Sequence, residues 1–548
     1  MVGKLTTEQV LLLNNLMYMN EKIAVRMDDC KGMTLGDVFA NIDTNSLESG
    51  KKYTDFTTGQ EWKDIIEAIR SDPQLNNVRI TDTYDDGNGG KAVLFENPSD
   101  NEAVVVFKGT GSPTEWKDNF MGGAGTGHPD GVTTTQQQNA LDWYRSLNKE
   151  NYETITVSGH SKGGNKAKYV TLMDESVDRC ISFDGQGFSD EFVDKYAEQI
   201  AKQQYKIENH NIDKDPVNIL LNDIGHTIYY KGYNYGSKNL FEHHTPNAFM
   251  HFDSNGNFCM VPGKQSSDLK NIDEFFNNYL RSLSDTEKKG TMEFLGSLFE
   301  IGMGNRSTKN GTELINEILD VLTDGDNVDY SAKLLAYFLR YEQENPEVAE
   351  TIRNLMKEMD FGDFINTTDM ILEIVNSEEF NQYLTKLLGG VDWIVDRTPN
   401  WILKKISDWI KKKYGIDLSP VQLRKLSGVL EALKKEIPKV KIKDNGADKK
   451  VGNAQGIGRF SVNTAGLGSA MQQFSICENE LMEISSEITN VLNLLDISLS
   501  RVKPSLEIQK ENVERRRADC RKLKTVLEEI ARSYDNAEQK AVELLHFW

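Results

Sequence analysis

The chain has 548 residues, with 63 lysines and arginines against 84 aspartates and glutamates, for a formal net charge of −21. That length suffices for about three or four domains with sizeable cores, and the acidic balance excludes a nucleic-acid footprint, which needs a basic surface. Cys30, Cys180, Cys259, Cys477 and Cys520 are odd in number, far apart and without a C-x-x-C pair, so they read as mostly buried thiols rather than a disulfide framework or a metal site.

Thr6-Thr7-Glu8 opens a short amphipathic helix to about Tyr18, with hydroxyls able to cap it. Strands are expected at about Val78 to Tyr84 and Lys91 to Glu96, joined by Asp85-Asp86-Gly87-Asn88-Gly89-Gly90. That segment resembles a calcium loop only in part and is read as a hairpin turn. Ala103 to Phe107 is a buried strand running into Lys108-Gly109-Thr110-Gly111, a strand-to-loop junction. The glycines from Gly122 to Gly127 fit neither a dinucleotide nor a P-loop spacing and are expected to form a mobile loop near a substrate mouth.

Gly159-His160-Ser161-Lys162-Gly163-Gly164 lies between a β-rich run, Thr154 to Val157, and a helical one, Asn165 to Met173. A strand, sharp turn and helix of this kind exposes a serine hydroxyl on a strained backbone, and the residues two before and two after the serine approach too closely for side chains. Gly159 and Gly163 meet that demand. A serine hydroxyl needs a base to take its proton and a carboxylate to orient that base. In hydrolases of this architecture the order is serine, acid, histidine, which removes His128 and His160, the latter read as a packed core histidine.

Gln204 to Glu208 is expected as a further strand, ending in a segment with two acids, Asp213 and Asp215. Catalytic carboxylates sit at the carboxyl ends of strands in open parallel sheets. Asp215 is chosen, since Pro216 rigidifies the loop and Val217 can anchor it, with Asp213 as the nearest competitor. After a strand from Thr227 to Lys231, His244 is chosen as base over His243, while His226 and His251 stay open. The oxyanion of a tetrahedral intermediate would take the backbone N–H of Lys162 and that of Thr110, with the Thr110 hydroxyl in reserve. No metal and no cofactor is expected.

These segments, with Trp116 and Asp118, resemble the lipase class 3 and related Mbeg1-like α/β-hydrolases in order and spacing over roughly residues 1 to 260. The resemblance implies Ser161 as nucleophile, Asp215 as acid, His244 as base and Thr110 with Lys162 as oxyanion hole. Lys162 stands where those lipases usually have leucine, placing a cation beside the site.

From about Asp268 to Lys439 the pattern turns helical, as in Glu313 to Leu322, Ala332 to Tyr341 and Gln422 to Ile437. Trp393, Ile394, Trp401, Ile402, Ile406, Trp409 and Ile410 line an apolar stripe beside Lys404, Lys405, Lys411, Lys412 and Lys413. Such a stripe suits either transient contact with a membrane surface or a packed helix with snorkelling lysines, the reading we favour. Lys441 to Gly458 reads as a linker. Leu467, Met471, Phe474, Leu481, Ile484, Ile488, Val491 and Leu495 form one apolar seam. Leu506, Val513, Cys520, Leu523, Leu527, Ile530 and Tyr534 form a second, with Pro504 in the turn between them.

Tyr534 and Glu538, four residues apart at the end of this hairpin, resemble the export signal of type VII secretion substrates of the WXG and LXG classes. The Trp-x-Gly turn is missing, and the hairpin is C-terminal where LXG toxins carry it first. The N-terminus lacks a basic region followed by an apolar core, so no Sec-type signal peptide is expected.

The expected architecture is an α/β-hydrolase domain over 1–265, an all-α region over 266–440, a linker over 441–460 and a C-terminal antiparallel helical hairpin over 461–548. The expected function is that of a serine lipase or phospholipase made in the cytoplasm and secreted by the type VII route. Its partners would be an acyl-ester lipid substrate, small helical export proteins and a neutralising immunity protein in the producing cell. The alternatives are a catalytically inactive adhesion or scaffold protein, and an esterase or acyltransferase on a non-lipid ester.

Overall fold

A computed structural model describes residues 4–54, 57–110, 118–122, 130–233, 243–252, 258–304, 317–358 except 319 and 323, 400–414, and single positions and short runs between 419 and 525. Trp116, residues 123–127 of the glycine loop, Trp393, the 441–460 linker, Pro504, Tyr534 and Glu538 lie outside the described residues. The chain divides into two compact units, Met1–Asp444 and Asn445–Trp548.

The first unit is built on a seven-stranded mixed sheet whose spatial order follows the sequence, β1 (Arg79–Asp85), β2 (Lys91–Asn97), β3 (Glu102–Phe107), β4 (Thr154–His160), β5 (Arg179–Phe183), β6 (Ile207–Ile212) and β7 (His226–Tyr230). β1, β2 and β3 pair antiparallel, and β3 to β7 run parallel. Asp86 Oδ1 folds back onto the backbone N–H groups of Asn88 and Gly90, each at 2.8 Å, which makes the β1–β2 connection a self-satisfied turn.

Parallel strands laid down in sequence order with right-handed crossovers put every connecting helix on the same face. Thr135–Ser146 and Lys162–Met173 share one apolar cluster with Ala92, Leu94, Ala103, Val105 and Phe107. Val93, Phe95, Val104 and Val106, one residue out of phase, point to the other face. The first eighty residues cover that face, chiefly through helices Thr7–Leu16 and Gly59–Ser71. Thr6 caps the helix with its hydroxyl as expected, in a capping box with Gln9, but the Thr7–Leu16 helix is buried from Val10 to Leu16 rather than half-exposed, and its Asn14 amide donates to Ser158 Oγ at 2.9 Å. This two-faced α/β arrangement fits an α/β-hydrolase.

One strand differs from its sequence reading. Gln204–Lys206 is a single 3-10 turn with Tyr205 at 78% exposure, and β6 begins at Ile207. The strand ends at Ile212, so Asp213 follows it directly.

Helices alone continue the unit from Ser267 among the described residues, including Ser267–Arg281, Asp285–Gly304, Asn327–Glu344, Pro346–Glu358 and Asn400–Tyr414. Leu269, Ile272, Phe275, Tyr279, Tyr337 and Tyr341 pack together with Ile219 and with Phe120, Leu220 and Leu221, residues of the segments beyond β3 and β6. In Asn400–Tyr414, Leu403, Ile406 and Ile410 are buried while Lys404, Lys405, Lys411 and Lys412 are exposed, as in a packed helix with lysines on its outer face. No described helix is long and apolar enough to cross a membrane.

In the second unit, described positions between 478 and 490 and between 507 and 525 are helical. Ser485 Oγ donates to Glu514 Oε1 at 2.6 Å and Arg521 Nε to Glu478 Oε1 at 2.6 Å.

Candidate functional site

Ser161 stands between β4 and the Lys162–Met173 helix with φ 60 and ψ −127. A non-glycine residue there carries strain of about 1–3 kcal/mol, and three close approaches hold it in place. A Cβ on Gly159 would lie 2.1 Å from the carbonyl of Gly163, one on Gly163 would lie 2.1 Å from the Phe107 oxygen, and one on Gly164 would lie 2.5 Å from Ser182 Oγ. Strand, helix and the neighbouring β3 thus interlock at positions where no side chain fits.

His244 precedes a 3-10 turn, Pro246–Phe249. Ala248, Phe249 and Met250 are fully buried in the N-terminal core, and the Phe249 ring meets Phe183 at 5.5 Å. Within this turn the Asn247 amide donates to buried Glu61 at 2.5 Å, and Thr57 Oγ1 donates to Asn247 Oδ1 at 3.3 Å. Glu61 also caps the Gly59–Ser71 helix through Thr58. The histidine is therefore fastened to a helix almost two hundred residues earlier in the chain.

His244 Nε2 is 2.8 Å from Ser161 Oγ, and its Nδ1 is in hydrogen-bond contact with Asp215 Oδ2. Asp215 is fully buried. Its Oδ1 accepts the backbone N–H of Val217 at 2.6 Å and of Asn218 at 2.8 Å, a short turn closed by its own side chain. Burial pushes the His244 imidazole down to about 3, so the ring is held neutral with one nitrogen toward the hydroxyl. Burial raises the Asp215 carboxyl, with the Asn218 and Val217 N–H groups opposing.

The other histidines lie elsewhere. His226 opens β7 on an exposed position, His251 is bonded to the Lys231 carbonyl at 2.9 Å, and His243 Nδ1 lies toward Gly232. His160 is buried behind His244, ring centroids 4.8 Å apart, with Nδ1 2.7 Å from the Tyr18 hydroxyl. Burial first, and then the neighbouring His244, lowers its imidazole well below the usual histidine range. Asp213 Oδ1 accepts the Gly232 N–H at 3.1 Å.

β3 and β4 pair with Phe107 opposite Gly159, so Gly109 comes beside Ser161. A Cβ on Gly109 would fall 3.1 Å from Ser161 Cβ and 2.2 Å from the Tyr18 hydroxyl. Thr110 follows, with its Oγ1 accepting from Asn119 Nδ2 at 2.7 Å. Lys162, the first residue of the helix, is 1% exposed and its Nζ lies 2.8 Å from Asp118 Oδ2. Its cation is turned to that acid. Burial raises the Asp118 carboxyl, but the Lys162 charge and its hydrogen bond outweigh this and hold it below the usual range.

One carboxyl oxygen of Asp184, one ring nitrogen of His160 and one of His244 lie within 4.8 Å of one another. Both nitrogens of His244 and Nδ1 of His160 are already engaged, so these groups do not make a metal site. Sequence reasoning missed Asp184, Asn218, Tyr18, Asn247 and Glu61. Only Asp184 carried a local signal, an acid followed by glycine at the end of a strand.

A family model described as Mbeg1-like matches residues 73–300, less than half of the chain. No curated protein matches it. Among solved structures, the Lip2 lipase from Yarrowia lipolytica is 13% identical, with 48% of this chain and 84% of that one covered and a TM-score of 0.27. A mutant form of MDLA from Penicillium cyclopium is 11% identical, with 47% and 85% covered and a TM-score of 0.27. A triacylglycerol lipase from Penicillium expansum is 15% identical, with 34% and 81% covered and a TM-score of 0.22. At these scores the likeness carries no argument.

Proposed function

We propose that the first unit is a serine hydrolase of acyl esters, a lipase or phospholipase, and that the chain is secreted by a type VII route. The observation that carries the catalytic part is the 2.8 Å approach of His244 Nε2 to Ser161 Oγ, with Asp215 on the other ring nitrogen.

In this reading Ser161 Oγ attacks the ester carbonyl while His244 Nε2 takes its proton. Asp215 steadies the imidazolium that forms, and the two backbone donors on Asp215 Oδ1 keep its other oxygen aimed at the ring. The oxyanion is held by the backbone N–H of Lys162, at a helix N-terminus whose dipole favours negative charge, and by that of Thr110. His244 returns the proton to the departing alcohol. Water, activated by the same imidazole, then releases the acid and frees Ser161.

The lipid character of the substrate is proposed from the class 3 resemblance and the Mbeg1-like match over residues 73–300. Export is proposed from the two apolar seams and from Tyr534 and Glu538. The Ser485–Glu514 and Glu478–Arg521 contacts suit helices running antiparallel, since an advance along one is matched by a retreat along the other. Small helical export proteins and an immunity protein are the partners proposed with it.

Incubating the full chain with acylglycerol and phospholipid vesicles, short-chain esters and non-lipid esters tests the substrate class. Release of fatty acid from vesicles, lost in Ser161→Ala, is expected. Turnover of short or non-lipid esters alone would replace the lipid reading with that of a general esterase. No turnover of any ester would favour an inactive scaffold.

A further inference from the structure

Two buried carboxyl groups face the catalytic imidazole. Asp184 follows β5 directly, is fully buried and adopts φ 45, a left-handed conformation that costs a non-glycine residue free energy. Its backbone N–H donates to the His210 carbonyl at 2.9 Å. Its Oδ1 accepts the Ile212 backbone N–H at 2.7 Å and the Asn218 side-chain amide at 2.8 Å. The same Asn218 amide donates to the Ile212 carbonyl at 2.9 Å, while the Asn218 backbone N–H donates to Asp215 Oδ1 at 2.8 Å. One acid thus grips both ends of the turn that presents the other.

The remaining oxygen, Oδ2, is buried without a hydrogen-bond partner, in the pocket where one Asp184 oxygen and a nitrogen of each of His160 and His244 converge within 4.8 Å. We propose that Asp184 is a positioning residue that holds the Ile212–Asn218 turn so that Asp215 meets His244, and does so as an uncharged carboxylic acid. The proposal rests on the hydrolase reading above.

The groups facing Asp184 among the described residues are Asp213 and Asp215 from the loop after β6, His160 at the end of β4, Tyr229 in β7 and His244 after β7. Burial, then the Asp215 charge, raises its carboxyl well above the ordinary range. Two acids in one dry site do not both ionise readily. Each acid has two N–H donors on Oδ1, but only Asp215 also has the imidazole on Oδ2, whereas Asp184 Oδ2 has no donor to stabilise a charge, so Asp184 is the one that keeps its proton.

Asp184→Asn keeps the Oδ1 acceptor and the size of the group, and Asp184→Ala removes both. In the full chain, Asp184→Ala is expected to lower kcat roughly 30-fold with KM within about twofold, as for a catalytic group displaced by a fraction of an ångström. Asp184→Asn is expected to restore kcat to within about threefold of wild type and to leave the acid limb of kcat/KM in place. Asn218→Ala, which cuts the relay and spares Asp184, is expected to match the alanine variant and decides the matter if Asp184→Ala does not fold. Wild-type kcat in Asn218→Ala, or an asparagine variant as damaged as the alanine one, would overturn the positioning role. An acid limb moved down by about one pH unit in Asp184→Asn would show a lost negative charge and overturn the uncharged state. If wild type neither turns over esters nor is labelled at Ser161 by a fluorophosphonate, the hydrolase reading itself fails, an outcome all variants would share.

Discussion

The ammonium of Lys162 lies 2.8 Å from the carboxylate of Asp118, and the lysine side chain is 1% exposed. The charge of the residue after Ser161 is thus taken up by Asp118, and the backbone N–H of Lys162 remains the donor proposed for the oxyanion. Removing one member of a buried ion pair leaves the other uncompensated, at about 3–5 kcal/mol. Lys162→Met is expected to lower the unfolding free energy of the first unit by that order, read as a lower urea midpoint, and Lys162→Met with Asp118→Asn to recover much of the loss. Equal midpoints for wild type and Lys162→Met would mean that the pair is solvated.

The Asn247 amide, 2.5 Å from Glu61, ties the loop bearing His244 to the Gly59–Ser71 helix. Asn247→Ala removes one donor from the buried Glu61 carboxylate and is expected to cost about 1–3 kcal/mol. It should also lower kcat by about tenfold, because the imidazole loses its anchor three residues away. Denaturation together with steady-state kinetics checks both effects, and unaltered kcat would show that the buried Ala248–Met250 segment alone fixes the histidine.

The base role proposed for His244 requires a neutral imidazole. Burial lowers its imidazole from 6.5 to about 3, so the neutral form persists as pH falls through the range where a free imidazole charges. The acid limb of kcat/KM is expected to have its midpoint below about pH 6, whereas a midpoint of about 7 or more would contradict the buried, neutral ring. The unfolded chain binds a proton at this residue below pH 6.5 and the native one does not. The residue's contribution to stability is therefore present above pH 6.5 and lost as pH falls toward about 3.

The serine elbow was readable because its signal is local: a β-branched strand, glycines at fixed offsets and a helix within twenty residues. The acid and histidine were reachable through chain order and strand ends, even though β6 starts three residues later than Tyr205 and its neighbours suggested. What supports them was not readable. Tyr18 bonds His160 across 142 residues, Asn247 bonds Glu61 across 186 and Asp184 bonds Asn218 across 34. His160 was readable as a packed core histidine and Asp184 as an acid at a strand's end, but the partner of each was not, because only the folded sheet brings residues so far apart in sequence together. The N-terminal helix was read as amphipathic for the same reason, since the bare face it covers exists only once the crossovers all lie on the opposite side.

The central claim is that Ser161 is activated by His244 and Asp215. Treating the full chain with a fluorophosphonate and locating the adduct by peptide mass spectrometry tests it most directly. A single adduct on Ser161 is predicted, absent in Ser161→Ala, strongly slowed in His244→Ala, and accompanied in Ser161→Ala by a fall in ester turnover of roughly four to six orders of magnitude. An unlabelled Ser161 in folded wild-type protein, or ester turnover undiminished in Ser161→Ala, would contradict it.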